Sequence, residues 1–379
     1  MPPLSLEKRP SARPNREEPV EADPTPPLAR RITTAAGLIE SGLAAQELRA
    51  EMEAVAERYA IGVTPALTSL ITSEGSDDPV ARQFVPDARE LVRDPAEAVD
   101  PIGDDARSPL KGLVHRYPDR VLIKLVAVCA VYCRFCFRRE KVGPGSAALT
   151  EAEFAAARAY IRERPEIWEV ILTGGDPLTL SPRRLAKVTA ALAEIDHVKV
   201  LRWHTRLPVA EPERVTNAMA RALLAEGRTA VVAVHANHAR ELTPEARAAC
   251  RRLAAAGVML VSQSVLLRGV NDDVASLEAL MRAFVETGVK PYYLHHPDLA
   301  PGTAHFRVSI AEGRALVASL RARLSGLAMP AYVLDIPGGY GKVPVGPEHF
   351  REEPSGGYRV RDPNGAEHIY VDRLAPHRS

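Results

Sequence analysis

The stretch Val121-Leu-Ile-Lys-Leu-Val-Ala-Val128, followed by Cys129-Ala-Val-Tyr-Cys133-Arg-Phe-Cys136, decides how the rest of the chain is read. A short apolar, β-branched run of this kind reads as a buried strand, and the chemistry begins where it stops. Three of the chain's four cysteines lie there in eight residues, spaced C-x3-C-x2-C. Three thiols with no fourth nearby make a poor disulfide framework, and a closed structural zinc site needs a fourth ligand. They suit a four-iron cluster in which protein anchors three irons and the open iron can bind a small molecule. A redox carrier and an unrelated metal site remain the alternatives at this point.

The chain has 379 residues, 49 basic against 48 acidic. It is long enough for one large domain or two to three smaller ones with a sizeable core. Balanced charge gives no general polyanion-binding surface, so no nucleic-acid partner is expected. Four cysteines, three of them clustered, fit a reducing compartment better than secretion. No apolar run approaches the roughly 20 residues that span a bilayer, and Met1-Pro-Pro-Leu-Ser-Leu-Glu-Lys-Arg-Pro10 lacks a signal-peptide core. The expectation is a cytoplasmic protein without a membrane partner.

Outward from the cysteines, short β-branched runs alternate with longer amphipathic ones. Strands are predicted at Val121–Val128, Glu169–Thr173, Val198–Trp203, Thr229–His235, Val258–Val265 and Pro291–His295, with Tyr332–Asp335 as one more. Thr150-Glu-Ala-Glu153 and Ser309-Ile-Ala-Glu312 read as capping boxes, and Ser181-Pro182 as an N-cap followed by proline at the first helical position. Regular alternation predicts a parallel α/β sheet with right-handed crossovers. Six units are too few for a closed eight-stranded barrel, so the expected fold is a partial (β/α)6 TIM-like barrel. Ahead of it, residues 1–30 read as a disordered tail. Residues 31–110 read as an N-terminal helical segment, with one stripe over Leu43, Leu48, Met52, Val55 and Tyr59 and a short helix over Pro65–Ile71. The barrel is assigned to residues 111–308 and a C-terminal extension to 309–379, ending in a hairpin around Asn364-Gly365.

The unusual residues fall at the carboxyl ends of these strands, where parallel barrels bind ligands. They are the cysteines, Gly174-Gly175-Asp176, His204, His235, Gln263 and Asp298. Cysteine spacing and strand placement together resemble the radical S-adenosylmethionine superfamily, in which three thiolates hold a 4Fe–4S cluster and S-adenosylmethionine chelates the open iron. Phe135 before the third cysteine fits that pattern. Gly174-Gly175-Asp176-Pro177 looks like the superfamily's glycine pair, where a missing side chain admits the cofactor; an ordinary turn is the alternative. Cys250 reads as a small structural residue.

A second informative segment is Asp335-Ile-Pro-Gly338-Gly339-Tyr340-Gly341-Lys342. Glycines before a lone lysine allow close backbone approach and put an amine on a loop, as pyridoxal phosphate chemistry requires; a surface turn is the plainer reading. His115-Arg116-Tyr117-Pro118-Asp119-Arg120 could bind a phosphate, or be solvated charge. These two segments occur in one order with Cys-x3-Cys-Arg-x-Cys-x-Arg-Arg, Gly-Gly-Asp-Pro-Leu, His204-Thr-Arg206, the run from Gln263 to Asp272, and Asp298 with His305-Phe-Arg307. Together they resemble the lysine 2,3-aminomutase family from about Tyr59 to Pro347.

The resemblance implies an isomerase that moves an amino group between C2 and C3 of L-lysine, giving β-lysine. Its cofactors would be a 4Fe–4S cluster on Cys129, Cys133 and Cys136, S-adenosylmethionine, and pyridoxal phosphate. By position, Lys342 matches the lysine that forms the Schiff base, and Arg116, Tyr117 and Arg120 match its phosphate side. Gly174, Gly175, Asp176, His235 and Gln263 match S-adenosylmethionine contacts. Arg138 matches the partner of the substrate α-carboxylate, and Asp298 and Asp335 the pair that holds the distal ammonium. It also implies a reduced flavodoxin or ferredoxin-type electron donor and a homo-oligomer. Two departures stand out. Many members carry later cysteines that bind zinc at a subunit contact, and none follows Cys250; Tyr340 stands where many have glycine. A relative that supplies β-lysine to elongation factor P, an aminomutase for arginine, and a non-catalytic iron–sulfur carrier remain as alternatives.

Overall fold

Nine strands lie side by side in chain order in one sheet. They are β1 (Leu113–Tyr117), β2 (Arg120–Val126), β3 (Glu169–Gly174), β4 (Val200–Thr205), β5 (Thr229–His235), β6 (Met259–Val265), β7 (Lys290–His295), β8 (Ala331–Ile336) and β9 (Gly341–Pro344). The computed structural model describes residues 31–72, 77–146, 148–354 and 357–371, so the expected N-terminal tail lies outside the described residues. Strands β2 to β8 are parallel, and β1 and β9 add antiparallel edges. Six strand–helix units and a seventh parallel strand give the predicted partial barrel.

Local chemistry accounts for the helices between the strands. Thr150 and Glu153 form both bonds of a capping box ahead of Glu151–Arg162, and Ser309 and Glu312 do the same ahead of Ile310–Arg321. Ser181 caps Pro182–Ala193 by accepting from the Arg184 amide. The strands show a period of two. On β5 and β6, Val232, Val234 and Leu260 join the large core under the helices, while Val231, Ala233 and Val261 pack inside the barrel. That parity turns His235 and Gln263, paired in register, toward the lumen.

The structure differs from the sequence reading in three places. His115-Arg116-Tyr117, expected just before the first strand, lies within β1, which turns back antiparallel onto β2. Residues 309–379 are not wholly outside the barrel, because β8 and β9 continue its sheet. Beyond them β10 (Phe350–Glu352), β11 (Tyr358–Arg361) and β12 (Glu367–Tyr370) form a separate sheet containing the expected hairpin. The N-terminal helices are short, Arg49–Ala56 burying Met52 and Val55, and Pro65–Thr68 burying Leu67.

The two edges of the barrel meet at β1 and β9. The Lys342 amide donates to Tyr117 Oη at 2.7 Å, and Arg107 Nε donates to the Gly339 carbonyl at 3.1 Å. A side chain at Gly103 would stand 2.3 Å from the Gly339 nitrogen, so this approach requires glycine. No helix among the described residues is long and apolar enough to cross a membrane.

Candidate active site

A cavity of about 470 Å3 runs down the barrel lumen, and every site residue singled out from the sequence lines it. The loop after β2 carries the cysteines. Arg134, between the second and third, donates to Glu90 at 2.6 Å, and Arg139 pairs with the same buried carboxylate. Arg31 Nη1 holds the Cys129 carbonyl at 2.7 Å. Burial pushes all three thiols up, Cys136 to about 11, so thiolates here need a positive partner. Arg206 Nη1 supplies part of one, 3.2 Å from Cys133 Sγ, itself anchored by Gln83 and Glu241.

The glycine pair lines the cavity and also packs tightly against the cysteine loop. A side chain on Gly174 would meet the Val126 carbonyl at 2.3 Å, and one on Gly175 the Val128 carbonyl at 2.3 Å. The Gly175 and Asp176 amides donate to those same carbonyls at 2.6 and 2.9 Å. The approach to the cysteine loop therefore needs the bare backbone here. Asp176 also points into protein: its oxygens accept from Thr205 Oγ1 at 2.7 and 2.9 Å, the Arg206 amide at 2.7 Å and the Leu178 amide at 3.0 Å. It pins the end of β4 to the end of β3.

His235 and Gln263 face the cavity from β5 and β6. Burial, with the nearby Arg206 and His295, pushes the His235 imidazole down to about 3 and keeps it neutral. His204, 6.1 Å away between ring centroids, lines the same wall, and its buried Nε2 has no hydrogen-bond partner among the described residues.

The far wall carries the remaining charges. Lys342 on β9 stands opposite Asp335 on β8 in the strand register, and its amine pairs with Asp335 Oδ2. His295 Nδ1 lies 3.4 Å from the same amine and 3.5 Å from Asp335 Oδ2. Arg116 Nη1 is 3.7 Å from Asp335 Oδ1. Burial alone would raise Asp335, but His295 and Lys342 outweigh it and hold the carboxyl well below the usual range. Asp298 is the reverse case. Burial and Asp335 push it up to about 7, and no cation among the described residues forms a salt bridge with it. Arg120 stacks on Tyr117, 3.9 Å from the ring centre.

Against known proteins, the radical S-adenosylmethionine superfamily model matches residues 123–280. The L-lysine 2,3-aminomutase of Acetoanaerobium sticklandii is 40% identical over 289 residues, covering 76% of this chain and 70% of that protein. The chain belongs to the lysine 2,3-aminomutase family. Other similar members include the L-lysine 2,3-aminomutase of Methanococcus maripaludis, 36% identical over 86% of this chain and 75% of that protein. The glutamate 2,3-aminomutase of Clostridioides difficile is 35% identical over 85% of this chain and 76% of that protein.

Enzymes of the lysine 2,3-aminomutase family are isomerases that use a 4Fe–4S cluster, S-adenosylmethionine and pyridoxal phosphate, and the donor set here fits all three. No group of three His, Cys, Asp or Glu side chains among the described residues is arranged to hold a single metal ion. Three thiols on one cavity wall match a cluster, whose thiolates sit on separate irons. Beside them, His235, Gln263 and the partnerless His204 Nε2 offer polar contacts for S-adenosylmethionine. Arg116, whose buried Nε has no hydrogen-bond partner among the described residues, lines the cavity with Tyr117, Arg120 and Lys342, cationic and hydroxyl groups of the kind that a phosphate and an aldehyde together need. Asp104 and His295 also line the cavity and were not among the sequence candidates, whereas His204 was singled out there without a role. Asp104 lies in an acidic loop with no local signal.

Proposed function

We propose that this protein is an L-lysine 2,3-aminomutase that interconverts L-α-lysine and β-lysine. The observation that carries the reading is the pair of buried carboxylates facing one cavity with Lys342: Asp335 paired with the lysine amine, and Asp298 in no salt bridge among the described residues. A carboxylate held in low dielectric beside another needs a positive partner, and the distal ammonium of lysine provides it. When bound, the cluster and S-adenosylmethionine supply a carbon-centred radical able to take hydrogen from an unactivated carbon, and pyridoxal phosphate supplies a conjugated ring to carry the migrating nitrogen.

The chain's own residues do the rest by placement. Cys129, Cys133 and Cys136 anchor the cluster, and His235 and Gln263, with the backbone around Gly174, Gly175 and Asp176, bound the S-adenosylmethionine side. Arg116, Tyr117 and Arg120 bound the phosphate end. Arg138, whose Nη1 reaches toward Thr173 on β3, meets the substrate α-carboxylate. Lys342 holds the cofactor between turnovers, and a proton leaving its amine finds Asp335 or the neutral His295 within reach. With the amino acid gripped at both ends, C3 is presented rigidly to the radical, and the enclosing walls keep water and other hydrogen donors away.

Glutamate is disfavoured by the same pair of acids. One carboxylate placed about 4 Å from another costs roughly 4 kcal/mol at an effective dielectric of ~20, and Asp298 and Asp335 would both face the substrate's distal group. The electron source is a reduced flavodoxin or ferredoxin-type protein, and the working form is a homo-oligomer in the cytoplasm. The test is anaerobic incubation of the reconstituted protein with L-lysine, S-adenosylmethionine and dithionite, followed by chromatography. β-Lysine should accumulate, and L-glutamate or L-arginine should give no β-amino acid. Loaded protein that leaves lysine unchanged would sink the proposal.

A further inference from the structure

Asp104 is a buried carboxylate placed between the two arginines to which opposite tasks are given above. Its side chain is 4% exposed, and its own amide is held by Asp100 Oδ1 at 2.9 Å. Oδ1 accepts from Arg116 Nη2 at 3.0 Å. Oδ2 accepts from Arg138 Nη2 at 2.8 Å and from Arg138 Nε at 3.2 Å. Burial opposes ionisation, but Arg138, Lys124 and Arg116 outweigh it and keep the carboxyl below its ordinary range. It therefore stands as an anion shared by two cations.

The way it grips Arg138 matters. A guanidinium is planar and offers two edges, one along Nε and Nη2 and one at the end along Nη1 and Nη2. Asp104 takes the side edge, while Nη1 on the other side reaches Thr173 Oγ1, at 3.4 Å. Both residues line the cavity, and Asp104 is the carboxylate paired with Arg138 among the described residues. Without Asp104, two guanidiniums would face one cavity and repel. Each would also be free to swing toward whichever anion arrived first, whether a phosphate or a carboxylate.

We propose that Asp104 is a positioning residue that makes the site selective for an α-carboxylate, by holding Arg138 end-on and keeping Arg116 apart from it. The proposal rests on the reading of Arg138 as the carboxylate partner and names how that contact is enforced. It predicts a selectivity effect. Loss of Asp104 weakens ligands that carry the carboxylate and spares those that lack it.

The experiment uses the reconstituted protein and calorimetric binding of L-lysine and of L-lysinamide, which lacks the carboxylate. The unaltered protein should prefer lysine. Asp104→Asn should lower lysine affinity by about tenfold or more, as for a charge-assisted bidentate contact, with lysinamide binding unchanged. In an Arg138→Ala background the preference is already gone, so adding Asp104→Asn should leave lysine affinity where it was. Equal weakening of both ligands, or a full further loss in the Arg138→Ala background, would overturn the proposal. If the asparagine yields too little folded protein, Asp104→Glu carries the same comparison, with a partial loss of preference expected and full retention overturning it. No preference for lysine in the unaltered protein would refute the carboxylate role of Arg138 itself. A preference untouched at Asp104 refutes only the proposal made here.

Discussion

Asp298 and Asp335 have the same side chain in one cavity and opposite protonation behaviour. Asp335 is held low by His295 and Lys342, whereas Asp298 rises to about 7 through burial and its acidic neighbour. Its folded-state value lies above its unfolded one, so between the usual carboxylate range and about pH 7 the native form keeps a proton that the unfolded chain has lost. In that window this group makes the ligand-free protein less stable as pH rises. Lysine binding should run the other way, since the distal ammonium needs the ionised form. The Michaelis constant for lysine should fall as pH rises toward 7, by up to about tenfold per unit, and Asp298→Asn should flatten that profile. A variant with the parental slope would assign the titration elsewhere. Lys342→Ala should abolish turnover and leave iron content and the cluster spectrum unchanged; surviving turnover would remove the amine from the mechanism. Lys342, Asp335 and the cysteines could be singled out because each sits in a compact run of distinctive residues, and Asp298 because it follows a predicted strand. His295 and Asp104 could not, because their meaning comes from neighbours brought close only by folding, such as Lys342, 47 residues away from His295.

At the scale of elements, the junction between β3 and the cysteine loop is the most exacting. Gly175 lets β3 end within contact of Val128, where an added methyl would sit 2.3 Å from the carbonyl. Gly175→Ala must push the cysteine loop away, so it should yield a protein with reduced iron content and a normal barrel by circular dichroism. Unchanged iron loading would show that the loop can give way without losing its thiols. The same scale explains what the sequence could and could not tell. Strand β5 and the capped helices at Thr150, Ser181 and Ser309 were readable because period and capping are local signals. No strand was read at β1, and β9 was read as a loop. The first is five residues long and stops before Pro118, the second is four residues long and ends in proline, and both are edges whose pairing is decided by the partner strand.

The whole molecule is a partial barrel whose open edges are brought together by a few side chains. Tyr117→Phe deletes the 2.7 Å contact with the Lys342 amide. It should cost about 1 kcal/mol, lower the melting temperature by only ~1 °C in a chain of this size, and weaken retention of pyridoxal phosphate more than it alters the cluster. Equal retention at equal temperature would mean the seam is held by other groups. The parallel sheet was legible as alternating periods, whereas the meeting of its ends was not, since residues 225 apart in sequence make that bond. That distance has a consequence for synthesis. The cysteines emerge from the ribosome well before β9, so a growing chain could house its iron cluster while still lacking the lysine that gives the radical a task. With Lys342 in the role proposed above, only the last strand of the barrel, arriving against the first, completes the second cofactor's berth. A truncated product would thus be idle toward lysine, however well its metal centre had formed.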